Sequence, residues 1–186
     1  IMFGADPYIY PAAFGRQSVA RKVMPRLFAE ENGPFFKENM YVAKSDGRVA
    51  AVLCWFDKNV VNTFPYRRLA EEYSDLPDSF LYTCEHYFET VSRNVAGQGN
   101  AWDGIYIHAF CVAANFRRRG IGKKLLKRAI SDHKDQDIYL HVLATNQSAI
   151  ELYKAYGFRI VGDVEPGFSI PPEKRPDVYY MKRSHK

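Results

Sequence analysis

The sequence predicts a single α/β (α+β) domain, residues 1–186, built on a mixed sheet flanked by helices. Apolar runs typical of strands occur at 40–56, 104–112, 137–143, 158–162 and 177–182. Amphipathic helices are expected between several of these runs, and such alternation characterises α/β proteins. Hydrophobic residues make up 47% and charged residues 25% of the chain, as in ordinary globular domains.

The first half contains one clear hairpin. Apolar residues at helical spacing predict a helix from Gly15 to Glu31, broken or kinked near Pro25. Residues 40–56 are expected to form a β-hairpin, because Asp46-Gly47 tolerates the positive φ angles of a tight turn. The chain then becomes irregular from 60 to 100, apart from a helix predicted over 79–93 and a turn over 97–100.

The second half is more regular. The strand at 104–112 leads through a short basic loop into a helix predicted over 122–133, with its apolar stripe opposite Lys and Arg. The strand at 137–143 precedes a helix over 146–156, which Gly157 is expected to end. A Pro-rich loop joins the two last strands. No internal repeat or interdomain linker is visible.

The net charge of +5 is local. Residues 117–134 hold eight of the 26 Lys and Arg and one of the 21 Asp and Glu, whereas the remainder has slightly more acidic than basic residues. A concentrated site for a phosphate group explains this distribution better than a diffuse nucleic-acid surface. No nucleic-acid partner is therefore expected.

Several bulk features predict a cytoplasmic protein without a membrane span. No apolar stretch approaches the ~20 residues that a span needs, and the N-terminal residues lack a signal-peptide pattern. The chain starts at Ile1 and not at Met, which leaves room for upstream residues. Its three cysteines are widely spaced and expected to be buried free thiols, and no motif predicts a metal site.

The segment from Cys111 to Leu126 is the most informative. A buried strand ends, and a loop with Gly120 and Gly122 opens an amphipathic helix. Glycines let a backbone approach a ligand closely, and free N–H groups at a helix start bind anions. The spacing fits neither a P-loop nor the Gly-x-Gly-x-x-Gly dinucleotide motif.

Instead, Arg117-x-x-Gly120-x-Gly122 resembles the Arg/Gln-x-x-Gly-x-Gly/Ala signature of the GNAT acetyltransferase superfamily. The run from Asn146 through Tyr153 to Phe158 resembles the second block of that family, and the resemblance covers about 40–182. It implies a mostly antiparallel sheet, with the family's usual first strand missing because this chain starts late. The core motifs would span 104–162, and 60–101 would be a variable acceptor-side segment.

The resemblance also implies an acetyl-CoA-dependent N-acetyltransferase that acts on a primary amine by direct attack in a ternary complex. The acceptor would be a small molecule or a peptide, no metal would take part, and the protein would be a monomer or homodimer. Two alternatives stay open: a non-catalytic acyl-CoA-binding module of the same fold, and a basic nucleic-acid-binding module.

By resemblance, the strand before the turn separates from its neighbour at a bulge, and main-chain groups of Phe110 and Val112 pair with the pantetheine arm. The turn itself binds the coenzyme A diphosphate. An amide near Phe110 would polarise the acetyl carbonyl. Asn146 would contact the pantetheine, although it could equally be only a helix N-cap. The implied cofactor-binding set is Phe110, Cys111, Val112, Arg117, Arg118, Arg119, Gly120, Ile121, Gly122, Lys123, Asn146, Ala149 and Tyr153.

Candidate catalytic residues are Tyr153, His108 and Glu85. The resemblance makes Tyr153 the proton donor to the leaving thiolate; otherwise it is a tyrosine at the edge of the core. A histidine with a pKa of ~6.5 suits a general base, and a regular strand would put His108 on one face with Tyr106 and Phe110. A core histidine is the competing interpretation, and Glu85 is a rival base.

The segment 60–101 is long for a connection and is the candidate wall of the acceptor site. An aromatic core beneath the sheet is the equally favoured alternative. The aromatic residues in question are Tyr66, Tyr73, Tyr82, Tyr87 and Trp102.

Overall fold

The computed structural model describes residues 8–31, 33–57, 66–96, 104–164 and 177–185. Its helices are α1 (Ile9–Phe14), α2 (Gln17–Ala29), α3 (Tyr66–Glu72), α4 (Ser79–Ala96), α5 (Ile121–Asp132) and α6 (Gln147–Ala155). Its strands are β1 (Met40–Ser45), β2 (Arg48–Phe56), β3 (Gly104–Val112), β4 (Asp137–Leu143), β5 (Arg159–Val164) and β6 (Val178–Arg183).

The strands form one six-stranded sheet in the order β1-β2-β3-β4-β6-β5. Only β3 and β4 pair in parallel among the pairs described, and every other neighbouring pair is antiparallel. The parallel pair is the one that needs a crossover, and α5 supplies it. The predicted mixed, mostly antiparallel sheet with flanking helices is confirmed.

Alternate residues of the strands point to opposite sides of the sheet, so the buried side chains form two layers. One layer, here called the α5/α6 face, buries Ile105, Ile107 and Leu140 against Leu126 and Ile150 of the two helices. The other layer, the α1–α4 face, is an aromatic cluster around α1, α2, α3 and α4. Its rings include Phe14, Phe35, Phe56, Phe80, Phe88, Tyr106 and Tyr180. The sheet is thus buried on both sides, as the high aromatic content suggests.

A β-bulge at His108 changes which way β3 faces. Cys54 pairs with Ala109 and Trp55 pairs with Ile107, so His108 is an extra residue opposite β2. A bulge of this kind reverses the alternation of side chains beyond it. Phe110 consequently packs on the α5/α6 face, while Tyr106 and His108 face the aromatic cluster. The prediction that all three share one face is therefore wrong.

Just beyond the bulge, β3 and β4 separate. Their pairing runs from Gly104 opposite Asp137 to Ile107 opposite Leu140, and both strands continue further. Past this point, β3 pairs with β2 and β4 pairs with β6. The edge of β3 that faces β4 therefore opens into a split, as the family resemblance implies.

The remaining elements match the sequence predictions with a few corrections. Asp46 and Gly47 form the hairpin turn with φ angles of 53° and 72°. Helix α2 continues through Pro25, because burial of Ala20, Val23 and Leu27 holds it against the core. Helices α1 and α3 were not predicted from the sequence. The predicted turn at 97–100 and the Pro-rich loop lie outside the described residues.

Candidate active site

A cleft of about 650 Å³ lies on the α5/α6 face, where the end of β3 meets the starts of α5 and α6. Most of the cofactor residues implied by the sequence line it together with Tyr153. The lining comprises Phe110, Cys111, Val112, Phe116, Arg117, Arg118, Gly120, Ile121, Gly122, Lys123, Asn146, Ser148, Ala149, Leu152 and Tyr153. Of the implied cofactor-binding set, Arg119 is the member outside this lining.

The turn before α5 presents backbone amides to the cleft. Gly120 is the N-cap of α5 with a φ of 75°, and no side chain caps the helix. The first N–H groups of α5 have no partner within the helix, and the positive end of the helix dipole lies beside them. Arg118, with a φ of 59°, also adopts a left-handed conformation that is uncommon outside glycine. The arrangement suits a phosphate or diphosphate group.

Gly122 lets α5 approach the end of β3. A Cβ atom at this position would lie 3.2 Å from Val112 Cγ2 and 3.5 Å from Phe110 Cζ. Contacts at the shorter distance are tighter than ordinary packing, so a larger residue would push the helix away from the strand. The second glycine of the motif therefore sets the closeness of the helix and strand that border the cleft.

The three arginines of the turn have different surroundings. Arg117 Nε donates to the Val112 carbonyl at 3.1 Å, which ties the turn to the end of β3. Arg117 and Arg118 line the cleft. The Arg119 guanidinium instead lies over the Phe116 ring, 5.5 Å from its centroid. Two of the three side chains are thus in position to meet an anion in the cleft.

Asn146 both caps α6 and lines the cleft. Its Oδ1 accepts from the Ala149 amide at 3.3 Å and from the Ser148 hydroxyl at 3.2 Å. The capping role is therefore present, and the side-chain amide group of Asn146 is the part that remains for a ligand.

Tyr153 projects from α6 into the inner end of the cleft. It is only 7% exposed, and its ring packs against Phe110 and Phe158 with centroids 6.4 Å and 5.6 Å away. Burial raises the pKa of Tyr153 above its ordinary value, because the phenolate would lose its hydration. The phenol therefore keeps its proton at neutral pH, as a proton donor must.

His108 lies across the sheet from this cleft. Its Nε2 is 2.7 Å from the Pro34 carbonyl oxygen, a geometry in which Nε2 carries the proton and donates it. Its ring packs edge-on against Phe35 with centroids 4.7 Å apart. Burial lowers the pKa of His108 to about 4, so the imidazole is neutral at pH 7. It also lines a small apolar pocket on the α1–α4 face.

Glu85 is not brought to the cleft. Its carboxylate accepts from Arg67 of α3, and the side chain lines neither the cleft nor the small pocket. Tyr82 is 44% exposed and stacks on His86, so it does not line them either. Tyr87 borders the small pocket, and Tyr66 and Tyr73 pack against the aromatic cluster. Trp102 lies outside the described residues.

Sequence reasoning did not single out several residues that the fold brings to the cleft. Phe116, Ser148 and Leu152 line the cleft, and the helical spacing of 148 and 152 around Ala149 was the available signal. On the α1–α4 face, the Tyr106 hydroxyl lies 2.7 Å from His141 Nδ1. Burial lowers the pKa of His141 to about 3, so this ring is also neutral.

The cysteines within the described residues are free thiols, as the sequence predicts, but Cys84 and Cys111 are half-buried and not fully buried as expected. Cys54 is buried, and burial raises the pKa of Cys84 to about 12 and that of Cys111 to about 11. No group of three or more His, Cys, Asp or Glu in the described parts of the chain is arranged to hold a metal ion. Nor does any described helix combine the length and apolarity needed to cross a bilayer.

Comparison with known proteins agrees with this geometry. The profile of the acetyltransferase (GNAT) family matches residues 15–158. N-alpha-acetyltransferase 50 of Danio rerio is 39% identical over 61 residues, which are 31% of this chain and 36% of that protein. The chain thus matches only about a third of this relative's length.

Solved structures share the fold. An N-acetyltransferase from Staphylococcus aureus Mu50 superposes with a TM-score of 0.64 at 18% identity, covering 90% of this chain and 81% of that one. Arabidopsis thaliana Naa50, in complex with the bisubstrate analogue CoA-Ac-MVNAL, gives a TM-score of 0.54 at 18% identity over 91% of this chain and 94% of that one.

The matching profile and the shared fold indicate the same class of protein. The chain belongs to the GNAT acetyltransferase family.

Proposed function

We propose that this protein is an acetyl-CoA-dependent N-acetyltransferase that transfers the acetyl group directly to a primary amine. The observation that carries the proposal is the composition of the cleft. It joins an anion-binding turn, the diverging end of β3 and the buried phenol of Tyr153 within about 650 Å³. Each of these parts suits a different portion of acetyl-CoA.

The residues fit the cofactor in charge and in hydrogen bonding. The amides at the start of α5, with Arg117, Arg118 and Lys123, would hold the diphosphate. Backbone groups of β3 beyond Ile107 face the split and would pair with the pantetheine arm. Acetyl-CoA supplies an activated thioester, and a β3 amide near Phe110 would orient its carbonyl.

Tyr153 would donate a proton to the departing thiolate. The raised pKa of its phenol keeps the proton in place until a strong acceptor appears beside it. The ring contacts with Phe110 and Phe158 fix its orientation.

His108 is the proposed base for the acceptor, but its surroundings limit that role. A neutral imidazole with a pKa of about 4 orients an amine by hydrogen bonding and is poorly suited to deprotonating an ammonium group. The acceptor would therefore react as the free amine. The proton that its nitrogen loses as the amide forms would pass to solvent, and solvent would return a proton to Tyr153 after the phenol has protonated the thiolate. Relatives named for N-alpha and spermine acetylation make both peptide and small-molecule amines reasonable classes. A cytoplasmic monomer or homodimer remains the expected form.

The experiment is a comparison of Tyr153→Phe with Tyr156→Phe. Tyr156 ends the same helix and does not line the cleft. Tyr153→Phe should reduce kcat about 100-fold or more through loss of the proton donor, with acetyl-CoA affinity little changed. Tyr156→Phe should retain turnover. Thiol release with a panel of primary amines gives the rate, and calorimetry gives the affinity. Undiminished turnover in Tyr153→Phe would remove the assigned role.

A further inference from the structure

A second, smaller pocket lies on the α1–α4 face. Its volume is about 60 Å³, and it is enclosed by α1, α2, α4, the Pro34–Phe35 turn and β3. Its walls include Ala13, Phe35, Phe80, Cys84, Tyr87 and His108. No Lys, Arg, Asp or Glu is among the lining residues in the described part of the chain.

This pocket and the acetyl-CoA cleft lie on opposite sides of the same split. His108 is the first residue of β3 beyond the last pair with β4, and it faces the pocket. Phe110, two residues further along, faces the cleft, because the bulge reverses the side-chain direction between them. The pocket and the cleft are therefore lined by residues of β3 two positions apart, on opposite faces of the strand.

We propose that this pocket binds the side group of the acceptor, and that the acceptors are primary amines carrying a compact, uncharged aliphatic group. The inference rests on the proposed function, since it names the substrate class of that same reaction. The amine would point toward the split beside His108, and the aliphatic group would lie among the rings of the pocket.

The size and polarity of the pocket select this class. A cavity of about 150 Å³ holds the six carbons of benzene, so one of about 60 Å³ has room for roughly two or three carbons and excludes an aromatic ring. A second ammonium group or a carboxylate would lose its hydration there without an ionic partner. Diamines, polyamines and lysine side chains should therefore be poor acceptors.

The test compares propylamine, isobutylamine, phenylethylamine, putrescine and lysine amide as acceptors in one thiol-release assay at pH 8.5. The two aliphatic monoamines should exceed putrescine and lysine amide in kcat/KM by about tenfold or more, because one small apolar group is worth roughly that factor in a fitted pocket. Preference for putrescine or lysine amide would overturn the assignment.

Variants of the pocket residues test whether the preference among amines arises in this pocket. Cys84→Ala enlarges the pocket by one sulfur atom and should raise kcat/KM for isobutylamine relative to propylamine by about tenfold. Cys54→Ala removes the same atom from a buried thiol outside the pocket lining, and it should leave that ratio unchanged. Ala13→Val narrows the pocket and should lower kcat/KM for isobutylamine more than for propylamine.

The outcomes separate this inference from the proposed function. If all five amines react but neither pocket variant changes their ratios, the pocket assignment is wrong and the acetyltransferase proposal stands. If acetyl-CoA does not bind by calorimetry and no amine is acetylated, the proposed function itself fails, and the pocket assignment with it.

Discussion

The two faces of the sheet are built in different ways. The α5/α6 face draws most of its cleft from one stretch, residues 110–153, in which strand, turn and helices follow one another. The α1–α4 face joins residues as distant in sequence as Tyr10 and Tyr180 in one aromatic cluster. The α5/α6 face is thus specified by local sequence, whereas the α1–α4 face depends on long-range packing.

Ion pairs on the α1–α4 face show this dependence. Residues 22, 26 and 30 follow one side of α2 and each bonds to the α3 region. Lys22 pairs with Asp75 at 3.0 Å, and Glu30 accepts from Arg68 at 2.7 Å. Arg26 also lies 3.9 Å from Glu72. The ladder holds α3 and the residues after it against α2, although its members are 38 to 53 positions apart.

Acidification should reveal the largest difference between the two faces, namely a loss of folding stability that originates in the α1–α4 face. His108 and His141 both belong to the α1–α4 face, and burial lowers their pKa values to about 4 and about 3 from 6.5. The unfolded chain therefore binds more protons between pH 6.5 and 4, so stability falls as the pH is lowered through this range. We expect a loss on the order of a few kcal/mol by pH 4, measured by urea unfolding.

A matched pair of histidine variants assigns this acid sensitivity. His108→Gln keeps a donor for the Pro34 carbonyl and should flatten the dependence of stability on pH between 6.5 and 4. His86→Gln on α4 should follow the wild-type curve. Burial raises the pKa of the Asp137 carboxyl, but its hydrogen bonds to Lys182 and His185 outweigh this effect and lower the pKa to about 2. This carboxylate therefore titrates below the window from pH 6.5 to 4. Parallel curves for His108→Gln and the wild type would contradict the account.

On the α5/α6 face, Gly122→Val tests the closeness of helix and strand. The new side chain meets Val112 and Phe110, and overpacking of this kind costs about 1–3 kcal/mol. Acetyl-CoA affinity should fall as well, because the start of α5 moves. Gly120→Ala is the control: its Cβ meets nothing within 4 Å, and the φ of 75° alone should cost about 1 kcal/mol. Equal effects in the two variants would argue against close packing as the role of Gly122.

A smaller difference, in acetyl-CoA affinity, should distinguish Arg117 from Arg119. Arg117→Ala removes a cleft-lining charge and should weaken acetyl-CoA binding about tenfold, the usual value of a charge-assisted hydrogen bond. Arg119→Ala removes a guanidinium that lies over Phe116 and should change the affinity less than about twofold. Calorimetry at two salt concentrations measures both. A stronger effect at Arg119 would reverse the assignment of the turn.

The bounds of the elements on the α5/α6 face could be predicted closely from the sequence, for a physical reason. Both bounds of β3 and β4 were correct, and α5 and α6 were correct to within one residue. Strand alternation, Gly120 before α5, and Asn146 and Gly157 around α6 are signals within a few residues of the element that they define. The chemical roles of the residues in the cleft remain predictions.

The features of the α1–α4 face could not be predicted from the sequence, because they depend on residues that are distant along the chain. The family resemblance implied a bulge in this strand, but its position at His108 exists only in the pairing of β3 with β2, so the predicted direction of the Phe110 side chain was wrong. The bond of His108 to Pro34 spans 74 positions, and the pairing of Glu85 with Arg67 spans 18. A regular pattern in one segment carries no information about such contacts.

Binding of acetyl-CoA to the wild-type protein tests the central claim most directly. Thermal unfolding with acetyl-CoA at 100 times its Kd should show stabilisation of about 2.7 kcal/mol, which raises Tm by several degrees in a chain of this size. Adenosine, which carries no phosphate, and free acetate should give no such shift in melting temperature at the same concentration. A melting temperature unmoved by saturating acetyl-CoA would contradict the account.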